Sequence, residues 1–167
     1  KRDWSSDVCS SDLDYYGAGR GSWFDLVVTK EIGRTRLTYP GPSDVVHEWT
    51  YLPDFANTLV KLARRRAEFA PFESFGFPGH AITGAELVKM IETVTGKTYN
   101  VRRMSWWMIK TVGQLNTVGR EIGELEYLWR VPHRISGDKL KALLGNELQH
   151  TPLQRAVGTS LRALELT

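Results

Sequence analysis

Phe55, Ala56, Leu59, Val60, Leu62 and Ala63 recur at the spacing of one helical face, with Asn57, Thr58 and Lys61 between them. Directly before them, Trp49, Thr50 and Tyr51 are strand formers. The pattern therefore predicts a short strand that runs straight into a helix. Pro53 fits the first helical turn, where a missing N–H costs nothing. Asp54 brings a side-chain oxygen and a negative charge to a helix start, which favours both.

The same reading extends along the chain. Ser22 to Gly33 predicts a helix, with Ser22 as N-cap, Asp25 three residues on, and Trp23, Leu26, Val27 and Ile32 apolar. Arg36–Tyr39 predicts a strand closed by the turn Pro40-Gly41-Pro42. Glu73–Pro78 alternates apolar with small or polar residues, as a strand does. Thr83 and Glu86 form a capping box for a helix that runs to Gly96, its buried stripe Leu87, Met90, Ile91 and Val94. Tyr99–Met104 predicts a further strand. Trp106–Val112 is the most apolar stretch, a core or partner-facing helix too short to span a bilayer. Thr117–Trp129 predicts a helix with Val118, Ile122, Leu125 and Leu128 on one side, ended by Pro132. Ser136 is placed to cap a short helix over residues 137–144, stopped by Gly145. Thr151 as cap and Pro152 at the first position open a final helix carrying Leu153, Ala156, Val157, Leu161 and Leu164. Without a repeat or a linker, this order reads as one α/β domain of short strands and several helices.

Composition narrows the picture. The chain has 167 residues, 41% hydrophobic and 25% charged, as expected of a globular domain. A net charge of +3 is too small and too scattered to argue for nucleic acid. Arg64-Arg65-Arg66 falls at a helix end, where the dipole favours cations. No apolar run reaches the ~18 residues of a membrane span, and no secretory signal is evident. Cys9 is the single cysteine, so no internal disulfide can form, and the simplest expectation is a reducing, cytoplasmic compartment. Lys1–Leu13 has no period and is rich in Ser and Asp. Asp3–Leu13 matches, residue for residue, what a common short-read sequencing adapter encodes in one frame. Residues 1–13 therefore read as a non-native tail, the domain as residues 14–167, and thiol chemistry drops out.

The chemistry-bearing residues are sparse. Gly17, Gly19 and Gly21 follow G-x-G-x-G, not G-x-G-x-x-G, and no apolar strand precedes them. His47, His80, His133 and His150 are scattered without metal-ligand spacing. His133 reads as a structural cap near a helix end, and His80 as a turn residue near a helix start. There is no G-x-S-x-G elbow, and no Tyr is followed four residues later by Lys.

Two segments carry a family resemblance. His47-Glu48-Trp49-Thr50-Tyr51-Leu52-Pro53-Asp54-Phe55-Ala56 resembles the Arg-Asp-Tyr-hydrophobic-His-Val-x-Asp-hydrophobic-Ala segment of the extended short-chain dehydrogenases/reductases, the NAD-dependent epimerase/dehydratase proteins. His47 stands where that family usually has an Arg that contacts a nucleotide diphosphate. Asp14, Tyr15, Tyr16, Gly17 and Gly19 resemble the Asp-Phe-Tyr-Gly-Pro-Gly that follows the family's sixth core strand, with Ala18 in the place of Pro. The Thr83 cap with Glu86-Leu87 and the Lys139-Leu140 pair are similar to later elements of the family.

The resemblance covers Asp14 to Thr167 and corresponds to the C-terminal, substrate-binding half of a Rossmann-type protein. It implies a parent enzyme using NAD or NADP as an epimerase, dehydratase or reductase on a sugar nucleotide or other carbonyl/alcohol substrate. The pocket residues it implies are Asp14, Tyr16, Gly17, Arg20, His47, Glu48 and Tyr51. Arg20 is suited to a substrate phosphate or carboxylate, and His47 and Tyr51 fall on one face of a strand. The cofactor glycine motif and the Tyr-x-x-x-Lys pair are missing, so this portion alone is expected to bind no nicotinamide and no metal and to turn nothing over. The alternative is a complete, non-catalytic binding module. It would use the Trp106-Trp107 helix as an apolar interface and Arg64–Arg66 for an acidic partner.

Overall fold

A computed structural model describes residues 14–17, 19–113 and 117–166, so the expectation for residues 1–13 lies outside the described residues. The strands are β1 (Asp14–Tyr16), β2 (Arg36–Tyr39), β3 (Val46–Tyr51), β4 (His80–Thr83) and β5 (Asn100–Arg103). The α-helices are α1 (Leu52–Arg64), α2 (Gly84–Thr95), α3 (Trp106–Gly113), α4 (Thr117–Glu124), α5 (Asp138–Leu144) and α6 (Leu153–Ala163). The chain is thus a mixed α/β structure of short strands and several helices.

β3 is the centre of the larger sheet, ordered β1-β3-β4. It runs parallel to β1, with Asp14 opposite Trp49 and Tyr16 opposite Tyr51. It runs antiparallel to β4, with Val46 opposite Thr83 and Trp49 opposite His80. A second sheet pairs β2 and β5 in parallel. Because β3 is covered on both faces, His47, Glu48, Trp49, Thr50 and Tyr51 are all buried. Trp49 meets Tyr16, Phe24 and Trp129 in the main core, joined by Leu87 and Ile91 of α2 and Val157 and Leu161 of α6. Phe77, Leu140 and Leu144 form a smaller cluster with Phe55 and Leu62 of α1.

The strand–helix unit forms as its sequence predicts. Tyr51 is the extended N-cap residue of α1, and Pro53 sits in the first turn. Asp54 has another task. It is 2% exposed, and its two carboxylate oxygens accept the backbone N–H of Thr151 at 2.5 Å and the Thr151 hydroxyl at 2.8 Å. Thr151 is therefore not the cap of α6; its hydrogen-bonding groups tie that helix to α1, and Pro152 occupies the N-cap position. The capping box at Thr83 and Glu86 is complete, and Gly96 ends α2 in the left-handed region at φ 67°.

Three segments differ from their sequence expectation. Ser22–Gly33 is not one α-helix but a wide turn over Phe24–Val28 followed by a tight turn over Ile32–Arg34. The amide and hydroxyl of Thr29 both donate to the Phe24 carbonyl, at 2.8 and 2.9 Å, which closes the turn five residues back. The β-branched run Val27-Val28-Thr29 favours a regular helix little, and the wide turn buries both Phe24 and Val28. Glu73–Pro78 joins no strand ladder. Pro78 lacks a donor, and β4 takes the place beside β3. Gly79 crosses so close to that strand that a Cβ would lie 2.5 Å from the Trp49 carbonyl oxygen. The helix predicted over Thr117–Trp129 tightens after α4 into a 3₁₀ turn over Leu125–Arg130, which inserts Trp129 into the core. At α5 the N-cap is Gly137 rather than Ser136, whose hydroxyl instead bonds the Asp138 carboxylate at 2.8 Å.

Trp106 on α3 is buried and donates its indole N–H to the Pro40 carbonyl at 2.6 Å, whereas Trp107 is 70% exposed. Among the described residues, no helix is long and apolar enough to cross a membrane.

Candidate functional site

Asp14 stands at the start of β1 and His47 near the start of its parallel neighbour β3, so the two side chains meet at one end of the sheet. The irregular stretch after the Leu125–Arg130 turn is held to that end. The His133 amide donates to the Val46 carbonyl at 3.2 Å, and the Ile135 amide donates to Glu48 Oε2 at 3.2 Å. Glu48 Oε1 also accepts the Gly79 amide at 2.6 Å. Strand alternation explains the division of labour. Glu48 turns away from His47 and clamps two loops, and one of those loops delivers His133 to His47. The His47 and His133 rings lie 4.8 Å apart, edge to face.

These side chains border a cavity of about 350 Å³. Its walls are mostly apolar, from Trp23, Leu128, Trp129 and Ile135 among others, with Tyr127 and Arg134 adding polar groups. His47 Nε2 lies 3.2 Å from the Trp129 carbonyl. A carbonyl only accepts, so Nε2 carries the hydrogen and Nδ1 presents a lone pair. That Nδ1 is buried without a hydrogen-bond partner and sits 3.7 Å from Asp14 Oδ2. His133 Nε2 is likewise buried and unpartnered.

Burial controls the charges here. Desolvation pushes the Asp14 carboxyl up to about 7. Desolvation first, and the neighbouring His133 second, push His47 down to about 4. Both groups favour their neutral forms. The Asp14–His47 approach is therefore not an ion pair at neutral pH, although its geometry resembles one.

The other residues implied by the family resemblance lie apart from this cavity wall. Tyr16 is 1% exposed, in the core, and its hydroxyl contacts His80 Nδ1 at 2.9 Å. Burial, followed by Tyr51 and Asp54, raises the Tyr16 phenol well above its ordinary value. Gly17 has φ 92°, and a Cβ there would come within 2.4 Å of the Tyr51 ring. The room left by this glycine is taken by the Tyr51 ring. Tyr51 borders a separate depression with His150 and Arg155, at the opposite end of β3 from His47. Arg20 borders another with Asp25 and Lys30. The structure thus brings together Asp14 and His47, holds Glu48 behind them, and keeps Tyr16, Gly17, Arg20 and Tyr51 elsewhere. His133, read from sequence as a structural cap, joins the cavity wall. The signal that could have marked it is faint: a histidine following a proline just after the turn that carries Trp129.

No family model and no curated protein matches the chain. Among solved structures it is similar to the crystal structure of a "putative epimerase" from Burkholderia cenocepacia J2315, with a TM-score of 0.60 and 19% identity. The match covers 92% of this chain and 45% of that one, so the chain spans less than half the length of the Burkholderia protein. At that identity the likeness is one of fold: both contain the same mixed α/β arrangement of short strands and helices.

Proposed function

We propose that this chain is the substrate-binding portion of an epimerase-like enzyme of the NAD(P)-dependent epimerase/dehydratase kind. Its substrates would be sugar nucleotides or other carbonyl/alcohol compounds. The observation that carries this reading is the cavity of about 350 Å³ beside Asp14 and His47, on a fold shared with 45% of the Burkholderia protein. Residues 14–167 supply apolar walls that exclude water and a few polar groups that fix orientation, the usual make-up of a small-molecule site. Asp14 and His47 would hold substrate hydroxyls, and Arg134 on the same wall suits a phosphate. The nicotinamide, which supplies hydride chemistry, belongs in this reading to a portion of the parent enzyme with its own glycine-rich strand–turn–helix. No step is assigned to it from these residues.

Trp23 and Trp129 border the cavity and report on its occupancy. With a chelator present, a uridine-diphosphate sugar is expected to quench tryptophan emission saturably. Asp14→Ala should weaken that binding about tenfold, the worth of one lost hydrogen bond. The reading fails if no sugar nucleotide or simple hydroxy compound changes the emission. NAD(P)H-linked turnover by the purified chain alone would instead overturn its assignment as a substrate-binding portion.

A further inference from the structure

The two unpartnered ring nitrogens and the Asp14 carboxylate converge. One ligand atom from each of Asp14, His47 and His133 lies within 4.8 Å of the other two. His47 is 1% exposed, and its Nδ1 has no hydrogen-bond partner. A buried nitrogen without a partner is a cost to the fold, and His133 Nε2 repeats it. A shared cation satisfies both at once. We propose that Asp14, His47 and His133 form a site for one divalent transition-metal cation of the zinc class, open to the cavity. This goes beyond the substrate reading and does not depend on it.

Three features support the assignment. First, ligands bonded at ~2.0–2.2 Å to a tetrahedral ion lie roughly 3.4 Å from one another. Asp14 Oδ2 and His47 Nδ1, at 3.7 Å, need almost no movement to reach that spacing. Second, His47 is already fixed as a ligand. Its Nε2–H donates to the Trp129 carbonyl, the outer contact that orients a metal-bound imidazole and leaves the other nitrogen free to bind. Third, two imidazoles and one carboxylate suit zinc-like ions and not magnesium or calcium, which prefer all-oxygen sets. Three protein ligands leave a fourth position toward the cavity, whose wall also carries Arg134, a partner for an anionic fourth ligand. Glu48 and the Val46 carbonyl act as positioning groups, because they hold residues 133–135 against β3.

The test titrates chelator-stripped protein with Co²⁺ and then Zn²⁺. A Cys9→Ser background keeps the thiol out of the measurement. One equivalent of Co²⁺ with a visible absorption band, displaced by Zn²⁺, is the expected result, together with a Zn²⁺-dependent rise in melting temperature. His133→Ala and Asp14→Asn, each with retained circular dichroism, should weaken Zn²⁺ binding at least about 100-fold. Should Asp14→Asn fail to fold, His133→Ala decides alone, since His133 lies on an irregular stretch. Binding well below one equivalent, or affinity unchanged in His133→Ala, overturns the proposal. Because the metal is titrated without a carbon ligand and the sugar nucleotide with a chelator, either reading can fail while the other stands.

Discussion

His80 shows how completely one side chain can be specified by its neighbours. Its Nε2 donates to the Thr151 carbonyl at 2.8 Å, which leaves Nδ1 to accept the Tyr16 hydroxyl at 2.9 Å. Desolvation lowers its pKa, so the ring is neutral in the folded state. The unfolded chain, with an ordinary value near ~6.5, binds the proton more readily. The stabilisation is therefore present above about pH 6.5 and is lost as the pH falls toward the folded value. His47, lowered to about 4, acts in the same direction, and Asp14, raised to about 7, acts in the opposite one. Between pH 7 and 5 the urea midpoint of the wild-type chain should drop relative to that of His80→Gln, whatever the offsetting shifts of Asp14 and His47 common to both; identical slopes would refute this role. Asp54 gives a second prediction at the same scale. Asp54→Ala strips the Thr151 amide and hydroxyl of their buried acceptor and should cost about 2–4 kcal/mol, read as a lower urea midpoint at unchanged m-value.

Elements whose signals are local were legible in the sequence. The β3–α1 unit was visible because strand formers, Pro53 and a helical apolar period abut without a gap. The capping box at Thr83 was visible because it needs only two residues three apart. Its bond is correspondingly modest: Thr83→Ala should lower stability by about 1 kcal/mol, a cap's typical worth, with α2 exchanging its first amides faster in hydrogen-exchange NMR. Elements set by partners were not legible. The Ser22–Gly33 segment carries a helix-like start at Ser22 and Asp25, yet the fold needs Phe24 and Val28 buried together and opens the turn. Phe75 and Phe77 alternate as a strand would, but β4 had already taken the edge beside β3. The site follows the same rule. Asp14 and His47 lie in segments that carry the resemblance, whereas His133 is brought to them by its own amide bond to the Val46 carbonyl and by the Ile135 amide bond to the Glu48 carboxylate, residues far away in the chain.

At the scale of the molecule, Trp129 joins the cavity to the core. It is 3% exposed and packs against Trp23, Tyr39, His47 and Trp49. Its backbone carbonyl fixes His47, and its backbone also presses on Gly41, where a Cβ would sit 2.5 Å from that oxygen. Trp129→Ala should therefore cost about 3–5 kcal/mol in chemical denaturation and also reduce ligand-induced quenching to the share that Trp23 reports. A variant that loses quenching at full stability would show that the indole touches the ligand without organising the core. The contact from His47 to the Trp129 carbonyl has a further consequence. By holding the hydrogen on Nε2, it leaves Nδ1 as an acceptor with nothing to donate. A group settling there must bring a proton or a positive charge. At that one position an alcohol, which brings a hydrogen, meets the condition, and a bare carbonyl oxygen does not.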